Sequence, residues 1–372
     1  MNRRHLLQNF AALAGAGSLP AFADNARIML GQSAPFIGPA RELGEQFKAG
    51  AMLVFDQVNQ RGGVNGRRIE LRSLDDGYEP ERCAANTRRL IEDGVHALFG
   101  YVGTPTTLAA LPLLTAAKVP LVAPFTGAEA LRSPFNRQLF HIRASYNDET
   151  EEIVKQITSV GIKKVAVFFQ NDSYGQAGLA GVTAALKQRG LAPVSTGTVE
   201  RNSENVAAAL TALMAGQPEC IVQIAAYKSC AALIRAARKN GYLGNFYNLS
   251  FVGAQALAAE LGKDARGVVV SQVVPFPFSG LTPVASEYIQ RSKAASRDLS
   301  YTAMEGFIAA KTMVEGLRRA GNNPTPDSII NGLEGLNDLN LGGFFINFSG
   351  QRHAGSRYVD MTILTEDGKV RR

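Results

Sequence analysis

A short apolar run, a turn rich in glycine and hydroxyl residues, and a stretch with helical spacing form a unit that recurs along this chain. That unit restricts the fold to a parallel α/β architecture. Ala97-Leu98-Phe99 shows it well: two glycines and Thr104-Pro105 force a turn, and Thr106 is expected to open a helix through Leu108-Ala109-Ala110-Leu111. Such a turn lies at the carboxyl end of a strand and the amino end of a helix. Unpaired N–H groups and the positive end of the helix dipole favour a small anion there. The alternative reading is a plain helix cap with no guest.

The same alternation can be followed from end to end. Strands are expected at Ile28–Gln32, Arg68–Leu74, Ala97–Phe99 and Val119–Ala123, with helices between them, one carrying Phe47, Ala51, Val54, Phe55 and Val58 on one face. After Phe140-His141-Ile142-Arg143 the pattern starts afresh. Strands are expected at Val165–Gln170, Cys220–Ala225, Tyr247–Leu249 and Val268–Val273, and a helix over Thr150–Val160. The tail reads as helices near Thr282–Ala294, Thr302–Ala320 and Thr325–Leu336, then strands Gly343–Phe348 and Arg357–Leu364. Parallel sheets of this kind are wound with right-handed crossovers and bind ligands beyond the carboxyl ends of their strands. Gly103–Thr106 and Phe125–Gly127 both lie at such ends.

The chain has 372 residues, enough for two lobes that each bury a core. Hydrophobic residues at 46% and charged residues at 19% exclude a disordered or membrane-spanning class. The start reads as a cleavable export signal over residues 1–23: Arg3-Arg4, a short apolar run, then Ala21-Phe22-Ala23. The paired arginines fit twin-arginine export, and Sec export fits as well. The expected product is a soluble periplasmic protein. The formal net charge is +7, of which Arg3 and Arg4 supply two, leaving +5 once they are cut away. The remaining basic residues are dispersed, which argues against nucleic acid as a partner. Cys83, Cys220 and Cys230 have no metal or redox spacing and read as small buried residues.

The pieces Ala34–Pro39, Gly62–Arg67, Asp75-Asp76, Gly103–Thr107, Asn171–Gly175 and Gln223–Tyr227, in this order and spacing, resemble a known family. They are similar to the periplasmic leucine/isoleucine/valine-binding proteins of ABC transporters, over essentially the whole chain after the leader. The resemblance implies two doubly wound parallel-sheet lobes joined by a three-crossover hinge. Lobe one is then 24–142 with 274–338, and lobe two is 145–271 with 339–372. The crossovers fall near Ile142–Ala144, Ser271–Pro275 and Leu339–Phe345, and ligand is trapped as the lobes close.

The resemblance also implies site roles. Thr106 holds a ligand carboxylate through its hydroxyl and N–H, with Gly103 and Thr104 shaping the loop. Phe125, Thr126 and Gly127 contribute backbone groups and a hydroxyl, while Tyr174 and Tyr227 reach in from lobe two. The chain departs from the pattern in one place. Amino-acid binders of this family carry an acid after the strand at Tyr247–Leu249, and here the loop Ser250–Gln255 has none. Burying an unpaired ammonium is costly. Glu305, one turn from Tyr301, is the candidate replacement, its alternative being a solvated surface residue. Phe251 and Phe125 can instead wall an apolar or aromatic acid. Arg143 fits either a ligand carboxylate or a hinge salt bridge.

No nucleophile–His–carboxylate set, metal spacing, phosphate loop or dinucleotide fingerprint is present, so neither an enzyme nor a cofactor is expected. The expected role is a monomeric solute-binding subunit of an ABC importer that docks on an inner-membrane permease. Its ligand would be a branched-chain or aromatic amino acid, or the related keto or aromatic acid. A periplasmic sensor feeding a membrane receptor, or more remotely an exported enzyme on a flavodoxin-like fold, are the alternatives.

Overall fold

The computed structural model describes residues 27–372, so the leader expected at 1–23 lies outside the described residues. Five parallel strands form the first sheet: β1 (Arg27–Ala34), β2 (Arg68–Asp75), β3 (Ala97–Phe99), β4 (Leu121–Val122) and β5 (Leu139–Phe140). They lie in the order β2-β1-β3-β4-β5. The second sheet repeats this winding with β6 (Val165–Gln170), β7 (Ser195–Val199), β8 (Cys220–Ile224), β9 (Asn245–Asn248) and β10 (Val269–Gln272). Between the first-sheet strands run α1 (Arg41–Gln60), α2 (Pro80–Glu92) and α3 (Thr104–Ala117). The second sheet is flanked by α4 (Tyr146–Ser159), α5 (Ser173–Lys187), α6 (Ala207–Ala215), α7 (Tyr227–Lys239) and α8 (Ala254–Leu261).

Both sheets are covered on both faces, which explains why β3, β4, β6 and β8 are buried along their whole length. In this winding the order reverses between β1 and β3, and again between β6 and β8. Those are the points where a crevice opens beyond the strand ends.

The tail then returns to the first half with α9 (Pro283–Ala294), α10 (Tyr301–Arg319) and α11 (Pro326–Glu334). α10 packs along α1 so closely that a Cβ at Gly50 would meet the Ala303 carbonyl, and one at Gly306 the Phe47 carbonyl. Buried on nearly every side, α10 holds Glu305 inside, at 4% exposure. Glu305 is therefore no solvated surface residue.

A hairpin of β11 (Leu339–Asn340) and β12 (Phe345–Ile346) follows, before β13 (Asp360–Leu364) and β14 (Val370–Arg371) extend the second sheet antiparallel. This corrects the expected third crossover at Leu339–Phe345. The chain stays with the first half as far as Ala354, which bridges His141, and passes over at 355–359. The reason is apolar packing: Phe348 is buried edge-on against Phe140. Assigning the whole of 339–372 to the second lobe was thus too broad.

The helix after β3 begins at Thr104, two residues ahead of expectation. Gly103, at φ 102°, caps it in a conformation that side chains resist, and Pro105 fits the first turn. The three cysteines are free and buried. Among the described residues no helix is long and apolar enough to cross a membrane.

Candidate functional site

The carboxyl ends of the two sheets face each other, and the side chains between them come from both. On the first-half side Phe125 follows β4 and pairs with Val102, placing the turn after β3 beside the turn after β4. The Thr104 and Thr126 hydroxyls hydrogen-bond each other at 2.7 Å. The Thr106 hydroxyl turns back on its own turn, donating to the carbonyls of Val102 and Gly103. It braces the loop. What the first turn of α3 can offer an anion is the Thr104 and Thr106 N–H groups, since Pro105 has none.

Gly127 is glycine for a local reason. A Cβ there would lie 2.7 Å from both the Tyr146 backbone nitrogen and its ring, and the Gly127 carbonyl accepts the Tyr146 N–H at 2.7 Å. Any side chain at this position is excluded by Tyr146. Gly127→Ser is expected to destabilise the protein by about 1–3 kcal/mol through overpacking, measured by urea denaturation. An unchanged midpoint would show that Tyr146 can move aside.

From the second half, Tyr174 sits in the first turn of α5, which Asp172 caps by accepting the Tyr174 and Gly175 N–H groups. Its ring is 4.5 Å from that of Phe251 and 5.3 Å from that of Tyr146. Phe251 in turn reaches Phe125 at 5.6 Å and Tyr78 at 5.8 Å. Phe251, Tyr174, Tyr146, Phe125 and Tyr78 thus form one aromatic cluster spanning the halves. The Tyr174 and Tyr146 hydroxyls are buried without a partner, and burial raises the Tyr146 hydroxyl to about 12 although Arg143 opposes it. Tyr227 lies apart from this cluster. It lines a separate groove with Arg41, Glu42, Gln46, Lys228 and Gln255, where α1 meets α7 and α8.

Beneath the rings lies a buried charge cluster. Arg143, on the first passage between the sheets, holds Glu305 of α10 in a bidentate pair at 2.9 Å for both bonds, and also donates to the Ser250 hydroxyl at 3.0 Å. The guanidinium stacks over Phe125, 4.2 Å from the ring centroid. Burial works against the arginine charge, but Glu305 and then Glu149 more than offset it, so Arg143 holds its proton more tightly than usual.

Glu149, in the first turn of α4, was not anticipated. It is fully buried, and one oxygen accepts the Ser250 N–H at 2.9 Å and the Ser271 hydroxyl at 2.6 Å. Its other oxygen has no partner, and neither does Nη1 of Arg143. A carboxylate therefore does meet the Ser250 loop, supplied by a different element.

At the rim, Glu79 beside β2 accepts from Arg201 at 2.9 Å and Asn202 at 2.7 Å, beyond β7, and Gln170 donates to the Tyr78 hydroxyl at 3.2 Å. These bonds hold the halves closed. Tyr78 was also missed: it has a positive φ of 65°, and its ring would collide with any Cβ at Gly103. Nearby Asp76 accepts the Ser33 hydroxyl and the Tyr78 N–H, yet burial raises it to about 6. A carboxyl raised on folding loses stability as pH climbs from its unfolded value near 4 to about 6. Asp76→Asn is therefore expected to be about 2 kcal/mol more stable than the parent at neutral pH. The gap should close at acid pH, as melting curves across that range would show.

Known proteins share this fold. A family model described as periplasmic binding protein matches residues 27–369. Leu/Ile/Val-binding protein homolog 3 of Brucella melitensis is 25% identical over 325 residues, 86% of this chain and 84% of its own. Among solved structures, one titled "possible leucine/isoleucine/valine-binding protein" from Rhodopirellula baltica has 34% identity and a TM-score of 0.89, covering 93% of this chain and 96% of its own. A substrate-binding periplasmic protein from Ralstonia solanacearum has 32% identity and a TM-score of 0.87, covering 92% and 99%. The chain belongs to the periplasmic binding protein family, in its leucine/isoleucine/valine-binding group.

Proposed function

We propose that this protein is the periplasmic solute-binding subunit of an ABC importer, and that it takes a small ligand with both a carboxylate and a cationic nitrogen. The observation that carries the ligand class is Glu149. Glu305 takes both hydrogen bonds of the Arg143 pair, while the second buried carboxylate, Glu149, acts on that guanidinium only through space and has one oxygen left without a partner. A buried charge of this kind needs a counter-charge. An amino group supplies one.

The anionic end of the ligand has two sets of donors: the N–H groups at the first turn of α3 and Nη1 of Arg143. Thr106 acts by bracing that turn, with Gly103 and Thr104 shaping it and Thr126 linking it to the next strand end. The aromatic cluster of Phe125, Tyr174 and Phe251 encloses an apolar side chain, for which opening of the rim contacts makes room. Glu305 keeps Arg143 in place, and Tyr227 belongs to the outer groove. The names carried by the relatives, binders of leucine, isoleucine and valine, fit this class.

The test is thermal denaturation of the protein with matched probes: leucine and phenylalanine, their 2-keto acids, and the corresponding amines. Ligand binding to the native state raises the melting temperature. Stabilisation by the amino acids alone is expected. Stabilisation by the keto acids to the same degree would remove the cationic nitrogen from the ligand class.

A further inference from the structure

Away from the cleft, where the first and third passages run side by side, a cavity of about 130 Å³ opens, lined by Arg132, Phe135, His141, Arg352 and His353 among others. It has room for about four waters. The passages are joined there by backbone bonds, His141 N–H to the His353 carbonyl and Gly355 N–H to the His141 carbonyl, both 2.8 Å.

Two cations face the cavity without a carboxylate in hydrogen-bonding contact. Arg132 donates through Nη2 to the carbonyls of Arg143 and Ala144, and its Nε is buried with no partner. Glu129 and Asp148 act on it only from a distance. The Arg352 guanidinium donates to the Asn347 carbonyl at 3.3 Å and to no other group among the described residues. His141, at 2% exposure, sets the chemistry. Its Nε2 is 3.0 Å from the Leu131 carbonyl, which can only accept, so the ring proton sits on Nε2. Nδ1 is then a bare acceptor, and it has no partner. His353 is directed elsewhere, with Nδ1 at 2.9 Å from the Leu139 carbonyl and Nε2 facing Glu334.

We propose that this cavity is a second binding site, for a small oxyanion that still carries a proton, of the hydrogen phosphate or bicarbonate kind. Arg132 and Arg352 neutralise its charge, and its O–H donates to His141 Nδ1. Bound there, it ties the two passages together. A fully deprotonated oxyanion such as sulfate meets the same cations but leaves Nδ1 unpaired against a lone pair, so it is discriminated against.

The experiment is thermal denaturation of the full chain at neutral pH in phosphate, sulfate or chloride at matched ionic strength, with no cleft ligand added. Phosphate is expected to give a saturable rise of about 2 °C or more that sulfate does not reproduce. Arg352→Gln, at an exposed position, and Arg132→Lys, which keeps a donor for the carbonyls, should each abolish the rise. Arg143→Met, which takes the guanidinium out of the cleft, should still show the rise above its own melting temperature, which separates this site from anion binding in the cleft. Equal shifts in phosphate and sulfate, or a shift that survives Arg352→Gln, would overturn the proposal and leave the cavity to water.

Discussion

Arg143→Met is expected to lower the stability of the unliganded protein by about 3–5 kcal/mol, the cost of stranding a buried charge. Its guanidinium is the counter-charge facing both Glu305 and Glu149, and both carboxylates are buried among aromatic rings. Removing it strips Glu305 of both its hydrogen bonds and takes from Glu149 the positive charge that acts on it. Glu305, which burial already pushes up, can answer by taking up a proton, so the loss should shrink as the pH falls through the carboxyl range. The double variant Arg143→Met with Glu305→Leu should recover much of the loss, because an apolar pair of similar size replaces the ion pair. Chemical denaturation of the parent, the single and the double variant decides it. A single variant as stable as the parent would mean that the pair is not sealed from water.

Glu149→Gln is expected to act in the opposite way. The amide oxygen still accepts from the Ser250 N–H and the Ser271 hydroxyl, so the loop keeps its support. Only the charge is lost, and Arg143 with Glu305 is then balanced. Stability without ligand should equal or exceed that of the parent, while affinity for an amine-bearing ligand falls by about a hundredfold, the scale of a charge-assisted hydrogen bond. Calorimetric titration with leucine or phenylalanine reads the second effect and a melting curve the first. Retained affinity would remove Glu149 from the site. A variant that melts well below the parent would instead make Glu149 a structural partner of Arg143.

These two residues show where sequence reading succeeds and where it stops. The parallel strands were legible because burial on both faces turns them into unbroken apolar runs, as at Val165–Phe169 and Ala97–Phe99. Edge elements were harder. β7 reads Ser195-Thr196-Gly197-Thr198-Val199 and is buried only at Gly197 and Val199, so its pattern is too weak to separate from a loop. Glu149 was lost through a boundary. The helix was expected from Thr150, whereas Ser145 and Asp148 form a capping box that starts it at Tyr146 and carries Glu149 inward. The serine–x–x–acid spacing was the available signal. Tyr227 and Tyr174 both follow strands in the same fashion, yet one faces the outer groove and the other the aromatic cluster. Only the packing of α7 on α8 separates them.

The close fit of α1 on α10 has a consequence for how the chain matures. α1 is complete by Gln60 and sets Phe47 and Phe55 on Phe99 of its own sheet, but the helix that covers its Gly50 face begins at Tyr301, after every parallel strand of the second sheet has been synthesised. An emerging chain can pair β1 to β5 early and still leave the Gly50 face of α1 uncovered until α10 arrives. Neither half is therefore finished until the tail is made, since α10 covers the first and β13 and β14 extend the second. A chain truncated anywhere before α10 should remain an open, chaperone-dependent intermediate.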